Sequence, residues 1–184
     1  MIFVTADHHF KHRRIIELCS RPFHSLQFFQ DDVKLLPDVE LMDRTLVRLW
    51  NDTVKPEDVV WHLGDFSLGP RSAVRQFAEQ LNGKKFFVRG NHDHSWKTYL
   101  EAGFLPLPEI QKVGPYLFKL SHRPPTQTHA EDWCKQQGAY WLHGHSHGKN
   151  PWRHPKVFDV GVDCRDFKPM SLGQIVGGTF ADAL

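Results

Sequence analysis

The sequence predicts an α/β sheet protein, and three observations carry that reading. Short apolar runs alternate with stretches of helical period. The runs are rich in Val, Phe, Tyr and Trp, which suit a pleated, half-buried surface. Nearly every cluster of His, Asp and Asn falls directly after one of them. A chain of 184 residues with 40% hydrophobic content is long enough to bury a core and is read as one domain over 1–184.

Taken in order, "IFVTA" (2–6) is the first strand and runs into Asp7-His8-His9. A helix is expected over 12–18. The segment 21–39, with Pro22, Phe28, Phe29 and Pro37, holds neither period and reads as a loop over one edge. Met42, Leu46, Leu49 and Trp50 fall at i, i+4, i+7 and i+8, the stripe of an amphipathic helix. "VVWHLG" (59–64) is a strand that ends at Asp65, and Val74, Phe77, Ala78 and Leu81 mark the next helix. "KKFFVRG" (84–90) is a strand followed by Asn91-His92-Asp93, and a helix covers 95–102. "EIQKV" (109–113) joins "YLFKLS" (116–121) through Gly114-Pro115 as a hairpin ending at His122. After a helix over 127–137, "AYWLHG" (139–144) leads into His145 and His147, and "KVFDVGV" (156–162) is the last long strand. Ser171 with Gln174 offers a capping box for a final helix.

Composition narrows the function. Three cysteines share no C-x-x-C spacing and are odd in number, so neither a disulfide framework nor a thiolate zinc site is expected. The N-terminal apolar run is short and lacks a basic stretch, so it does not read as a signal peptide. No stretch approaches the roughly 20 apolar residues of a membrane span, and a cytoplasmic protein with no membrane partner is expected. A formal charge of +2 is too small to indicate nucleic acid as a partner. The 13 histidines are the unusual component.

Their placement points to chemistry. In open α/β sheets the carboxyl ends of the strands converge on one crevice, so residues spread along the chain can meet there. Asp, Asn and neutral His form a mixed oxygen and nitrogen set that suits Mn, Fe, Zn, Ni or Co rather than Ca or a structural zinc. So many ligands can hold two metals about 3.5–4 Å apart, with a carboxylate such as Asp65 bridging them. Glycine at 64, 90 and 144 fits loops that turn sharply beside the ligands.

Asp7-x-His9, Gly64-Asp65, Gly90-Asn91-His92-Asp93, an isolated His122 and Gly144-His145-x-His147 stand in the order and approximate spacing of the calcineurin-like metallophosphoesterases, which this sequence resembles. The resemblance runs from residue 2 to about 148, and the tail "VFDVGVD" is similar to small prokaryotic and phage members. It implies a four-layer αββα sandwich of two mixed β-sheets flanked by helices. It also implies that Asp7, His9, Asp65 and His147 hold one metal, and that Asp65, Asn91, His122 and His145 hold the second. The ions would be divalent transition metals, Mn foremost. His92 resembles the family's non-ligand catalytic histidine, with Asp93 orienting it through its other ring nitrogen. The implied reaction is in-line attack on phosphorus by a metal-bridging hydroxide, with His92 assisting the leaving oxygen. Two divalent ions against Asp7, Asp65 and one hydroxide leave about one positive charge, which attracts an anionic phosphoester.

Departures from the family narrow the substrate. "GDFSLG" and "GNHD" lack the Asp-Arg-Gly and the Glu of serine/threonine phosphatases, and the chain leaves no room for the capping segments of the superfamily's nucleases. A small uncapped phosphodiesterase acting on nucleotide-like or simple diesters is the first expectation. A phosphomonoesterase is the alternative, and a metal-free scaffold of the same fold is a third reading from a different class. His12 is a candidate contact for a substrate phosphate, against a solvated helix start. Arg123 has the same two readings, and Trp96 and Trp152 either stack a base or pack. His8 and His94 read as outside the ligand set, His62 as a hydrogen-bonded core residue, and His24, His129 and His154 as surface. Asp159 and Asp163 alternate in a strand and are candidates to bond a ligand histidine, while His143 is left out of the ligands.

Overall fold

A computed structural model of the chain describes residues 1–29 and 32–177. In chain order the first elements are β1 (Ile2–Thr5), α1 (Arg13–Leu18), β2 (His24–Phe29), β3 (Asp32–Pro37), α2 (Val39–Thr53), β4 (Val59–His62), α3 (Arg71–Ala78) and β5 (Lys84–Phe87). Then come α4 (Trp96–Glu101), β6 (Leu105–Pro106), β7 (Ile110–Val113), β8 (Tyr116–Ser121), α5 (Gln127–Cys134) and β9 (Ala139–His143). β10 (Val157–Asp159), a 3-10 turn (Val162–Cys164), β11 (Met170–Ser171) and α6 (Leu172–Val176) complete the described chain.

Two mixed sheets form the centre. The first has the order β11-β1-β4-β5-β6, parallel except for β11. The second has the order β10-β9-β8-β7, parallel except for β7. Alternation along the strands decides which layer each side chain enters. Phe3 and Val60 pack with Met42, Leu46 and Trp50 of α2 and Val74 and Phe77 of α3 on the outer face of the first sheet. Their neighbours Val4 and Trp61 turn inward to meet Phe118, Leu120 and Leu142 of the second sheet. α5 covers the far side of that second sheet, where Trp133 stands edge-on to Trp141 at 6.4 Å. The layers are helix, sheet, sheet, helix, as expected.

The helix stripes form the helices they predict. Asp38 caps α2 by accepting from the Leu41 amide at 2.8 Å. The Ser171–Gln174 capping box is formed at α6. Two expectations are corrected. The segment 21–39 is not a plain loop but carries the two-stranded ribbon β2–β3, with Leu26 paired to Leu35 and Phe28 to Val33; its residues 30 and 31, like 178–184 at the end of the chain, lie outside the described residues. Asp159 and Asp163 do not share a strand face, because β10 ends at Asp159 and the chain tightens into the 3-10 turn that holds Asp163.

Several strands also stop short of their apolar runs, so that the last residues of each run become loop at one end of the sheets. The β1–β4 pairing continues into these loops, with Asp7 N bonded to Gly64 O at 3.0 Å, His9 N to Asp65 O at 3.1 Å and Phe10 N to Phe66 O at 2.9 Å. The two loops that carry Asp7, His9 and Asp65 are thereby fixed to each other.

Candidate metal centre

Five of the candidate ligands hold left-handed backbone: Asp7 (φ 61°), His9 (54°), Asp65 (54°), His145 (68°) and His147 (47°). Each costs roughly 1–2 kcal/mol relative to relaxed backbone, and such strain persists only where the surroundings enforce it. His145 and His147 therefore do not leave an extended turn, as their alternate spacing suggests. Two consecutive kinks aim them at different places.

The side chains gather into two groups. Ligating atoms of Asp7, His9 and His147 lie within 4.8 Å of one another, and so do those of Asp65, His122 and His145. Asp65 Oδ2 stands between the groups, 3.6 Å from His9 Nε2 and 3.2 Å from His122 Nε2. Asn91 joins the second group through Oδ1, 3.0 Å from His122 Nε2. Asn91 and His92 are exposed at the rim, the His92 ring standing 5.6 Å from that of His9, and His12 lies 5.4 Å from His9.

The hydrogen bonds show what these groups lack. His122 Nδ1 lies 2.8 Å from the Leu63 carbonyl, so it carries the proton and donates it there. In the neutral ring Nε2 is then a lone pair, yet it faces Asn91 Oδ1 and Asp65 Oδ2. Three acceptors converge with no donor among them, which requires a cation or an extra proton. The first group has the same deficit: Asp7 Oδ1 and both ring nitrogens of His9 are buried without a hydrogen-bond partner among the described residues. The donor set and its orphaned atoms fit divalent cations, and these residues could hold them.

Charge follows from the same geometry. Burial pushes the Asp7 carboxyl up to about 7, a cost that a bound cation would reverse. Burial also opposes ionisation of Asp65, but with the extra proton on His122 Nε2 the hydrogen bond and charge of that ring outweigh it and hold the carboxyl well below the usual range. Burial likewise disfavours charge on His147, yet the Asp163 carboxylate on Nδ1 lifts it to about 10.

Around these residues a supporting shell sets their positions. Asp163 Oδ2 accepts from His147 Nδ1 at 2.7 Å, leaving Nε2 for the first group. Arg21, which the sequence reading passed over, is fully buried beneath it. Its guanidinium grips Asp163 through Nε and Nη2, each at 2.8 Å, and donates to the Asp7 carbonyl at 2.8 Å and the His8 carbonyl at 3.0 Å. One side chain thus ties the Asp7–His9 loop to the carboxylate behind His147. Asp159 holds the 144–148 loop by accepting from Ser146 Oγ, Gly148 N and Gly161 N.

Asp93 departs from expectation. Its carboxylate does not bond the His92 ring, because Oδ2 accepts from Asp65 N and Gly90 N, both at 2.7 Å, while Oδ1 accepts from Phe66 N and the Tyr99 hydroxyl. It pins the Asp65 loop to the Gly90–Asp93 loop instead. His92 is positioned through its backbone, whose amide donates to Asp65 Oδ1 at 2.9 Å.

Glycine is required where these loops touch. A Cβ on Gly64 (φ 95°) would lie 2.6 Å from Gly90 N, and one on Gly144 would lie 2.6 Å from Asp7 Oδ2. The remaining histidines are explained locally. His62 Nδ1 accepts from Gly64 N at 3.2 Å, so its Nε2 proton goes to His8 Nδ1 at 3.0 Å, inside a cluster of aromatic rings. His143 is buried with Nδ1 on the Gly144 carbonyl at 2.9 Å and belongs to neither group, and His94 bonds the Gly69 carbonyl at 2.8 Å. Arg123 reaches the second group from outside, its Nη1 being 3.4 Å from His145 Nε2.

The family model for calcineurin-like phosphoesterases matches residues 1–113, more than half of the chain and the part that carries Asp7, His9, Asp65, Asn91 and His92. The chain belongs to the calcineurin-like phosphoesterase family. An uncharacterized protein of Methanocaldococcus jannaschii, MJ1445, is 31% identical to this phosphoesterase over 183 residues, covering 95% of this chain and 89% of the archaeal protein. The Gene 66 protein of Mycobacterium phage D29 is 29% identical, covering 70% of this chain and 79% of its own. The solved structure of the protein of unknown function AQ665 from Aquifex aeolicus shares the fold, with a TM-score of 0.66 at 23% identity over 96% of this chain and 98% of that one. As a calcineurin-like phosphoesterase the protein is a metal-dependent phosphoester hydrolase, and its His, Asp and Asn groups could bind the metal. Both groups extend beyond the matched stretch, since His122, His145 and His147 lie past residue 113.

Proposed function

We propose that the protein is a phosphodiesterase with two divalent transition metal ions, Mn in first place. Asp7, His9, Asp65 and His147 hold one ion, and Asp65, Asn91, His122 and His145 the other. The observation that carries this reading is the position of Asp65 Oδ2 between His9 Nε2 and His122 Nε2, with the unpartnered atoms of Asp7 and His9 on one side and the acceptors converging at His122 on the other. When bound, the ions supply positive charge to neutralise the phosphoryl oxygens and to activate the attacking water.

The chain's own residues do the rest. His92 stands exposed at the rim, positioned through its backbone amide, and donates a ring proton to the departing ester oxygen. His12, half-buried near His9 and His92, and Arg123, beside His145, border the ions and bind the free phosphoryl oxygens. Exposed Asn91 and His92 leave space for a phosphorus that carries two ester arms, which favours diesters of nucleotide-like or simple alcohols.

Hydrolysis of bis-p-nitrophenyl phosphate against p-nitrophenyl phosphate by the manganese-loaded protein tests the reading. Faster turnover of the diester is expected. A strong preference for the monoester makes the protein a phosphomonoesterase, and loss of both activities in a metal-replete sample removes the catalytic assignment.

A further inference from the structure

The ribbon β2–β3 is joined to neither large sheet. Two-stranded ribbons are marginal on their own and are normally held by burying one face. Here the faces are reversed. Leu26, Phe28, Val33 and Leu35 occupy one face in cross-strand pairs, and they are 61, 78, 50 and 62% exposed. The opposite face carries Ser25, Gln27 and Leu36, all more buried than that apolar set, together with the exposed ion pair of Asp32 and Lys34, and α1 packs beside β3. The ribbon thus presents its apolar face to solvent, the arrangement expected of a surface that meets a partner.

We infer that this face is a homodimer interface, with a second copy of the chain as its occupant. Its six positions are His24, Leu26, Phe28, Val33, Leu35 and Pro37, none of which carries a formal charge at neutral pH. Two identical faces therefore stack without like-charge repulsion, whereas a strongly acidic or basic partner finds nothing to pair with. A two-fold axis through the Leu26–Leu35 and Phe28–Val33 pairs lays ribbon on ribbon at the ~10 Å spacing of packed sheets, an isologous contact. Each copy contributes on the order of 400 Å² of apolar side chain, the size of a functional patch and enough for a small, reversible dimer. The proposal does not depend on the metal site.

Sedimentation velocity on the full-length protein over roughly 1–200 μM, the range for an interface of this size, tests it. A concentration-dependent doubling of mass is expected. Phe28→Ser with Leu35→Ser should weaken association roughly tenfold or more, and so should Leu26→Glu alone, which opposes like charges across the axis. Unchanged far-UV circular dichroism establishes that each variant is folded. A wild type that stays monomeric throughout the range overturns the inference, including the case in which it binds neutral phosphatidylcholine vesicles instead. A dimer that survives both sets of substitutions overturns it too.

Discussion

His92 and Arg21 act from opposite sides of the same group of ligands, and their substitutions should separate chemistry from architecture. His92 meets the site through its backbone amide and leaves its ring at the exposed rim. His92→Ala should keep the metal content of the wild type while slowing hydrolysis of esters with poor leaving groups by roughly 10²–10⁴-fold, and p-nitrophenyl esters by less. Elemental analysis beside rates on an alkyl diester reads both halves. Arg21 touches no ligand side chain, but it neutralises Asp163 and holds the Asp7 and His8 carbonyls. Arg21→Met leaves Asp163 buried without its cation, which should cost about 3–5 kcal/mol in thermal unfolding. The same change should weaken metal affinity by about 10–100-fold in a chelator competition, because His147 loses its fixed orientation. The ligand residues are legible in the sequence because their types and spacing are chemical. Arg21 is not, because a buried arginine reads like any surface arginine until Asp163, 142 residues away, is seen against it. Asp93 shows the complementary difficulty: its neighbour in sequence suggests its partner, but both of its oxygens are taken by the amides of Asp65, Phe66 and Gly90 and the hydroxyl of Tyr99 in α4.

At the scale of elements, the loops after β1, β4, β5, β8 and β9 make the site, and close approach between them leaves no space for added atoms. Gly64→Ala combines a Cβ 2.6 Å from backbone with a φ of 95°, so relief requires the Asp65 and Gly90 loops to separate. We expect a loss of about 3 kcal/mol, a fall in melting temperature of roughly 10 °C, together with weakened metal binding. The same substitution at Gly103, where a Cβ meets nothing within 4 Å, carries only the strain of its left-handed φ and should cost less and leave metal binding intact. Elements were legible in proportion to their length and to the strength of one period. α2 and α3 bury most of the stripes that announce them, with Leu49 half-buried and Leu81 just past the end of α3. The two-residue strands β6 and β11 are too short to hold a period. The β2–β3 ribbon was missed because it lies outside the layers and its apolar residues face outward, so its pattern does not report a core.

For the whole molecule, the two sheets and their helices form a scaffold whose hydrophobic cores reach Ala6, Phe10, Leu63 and Phe66 beside the candidate ligands but contain none of those ligands, while the strained loops sit at one end. Metal therefore contributes to stability mainly by satisfying the unpartnered atoms of Asp7 and His9 and the converging acceptors at His122. Ions at about 100 times their dissociation constant should add about 2.7 kcal/mol per site, and a chelator should lower the melting temperature by a comparable margin. Among the described residues no helix is long and apolar enough to cross a membrane.

The most direct test of the account is the metal stoichiometry of Asp65→Asn, since Asp65 is the one side chain placed between both groups. Isothermal titration with manganese should give two ions per chain for the wild type and markedly reduced occupancy of both sites for the variant. A variant that still binds two ions with wild-type affinity would contradict the bridging role of Asp65, and with it the dinuclear centre proposed for this protein.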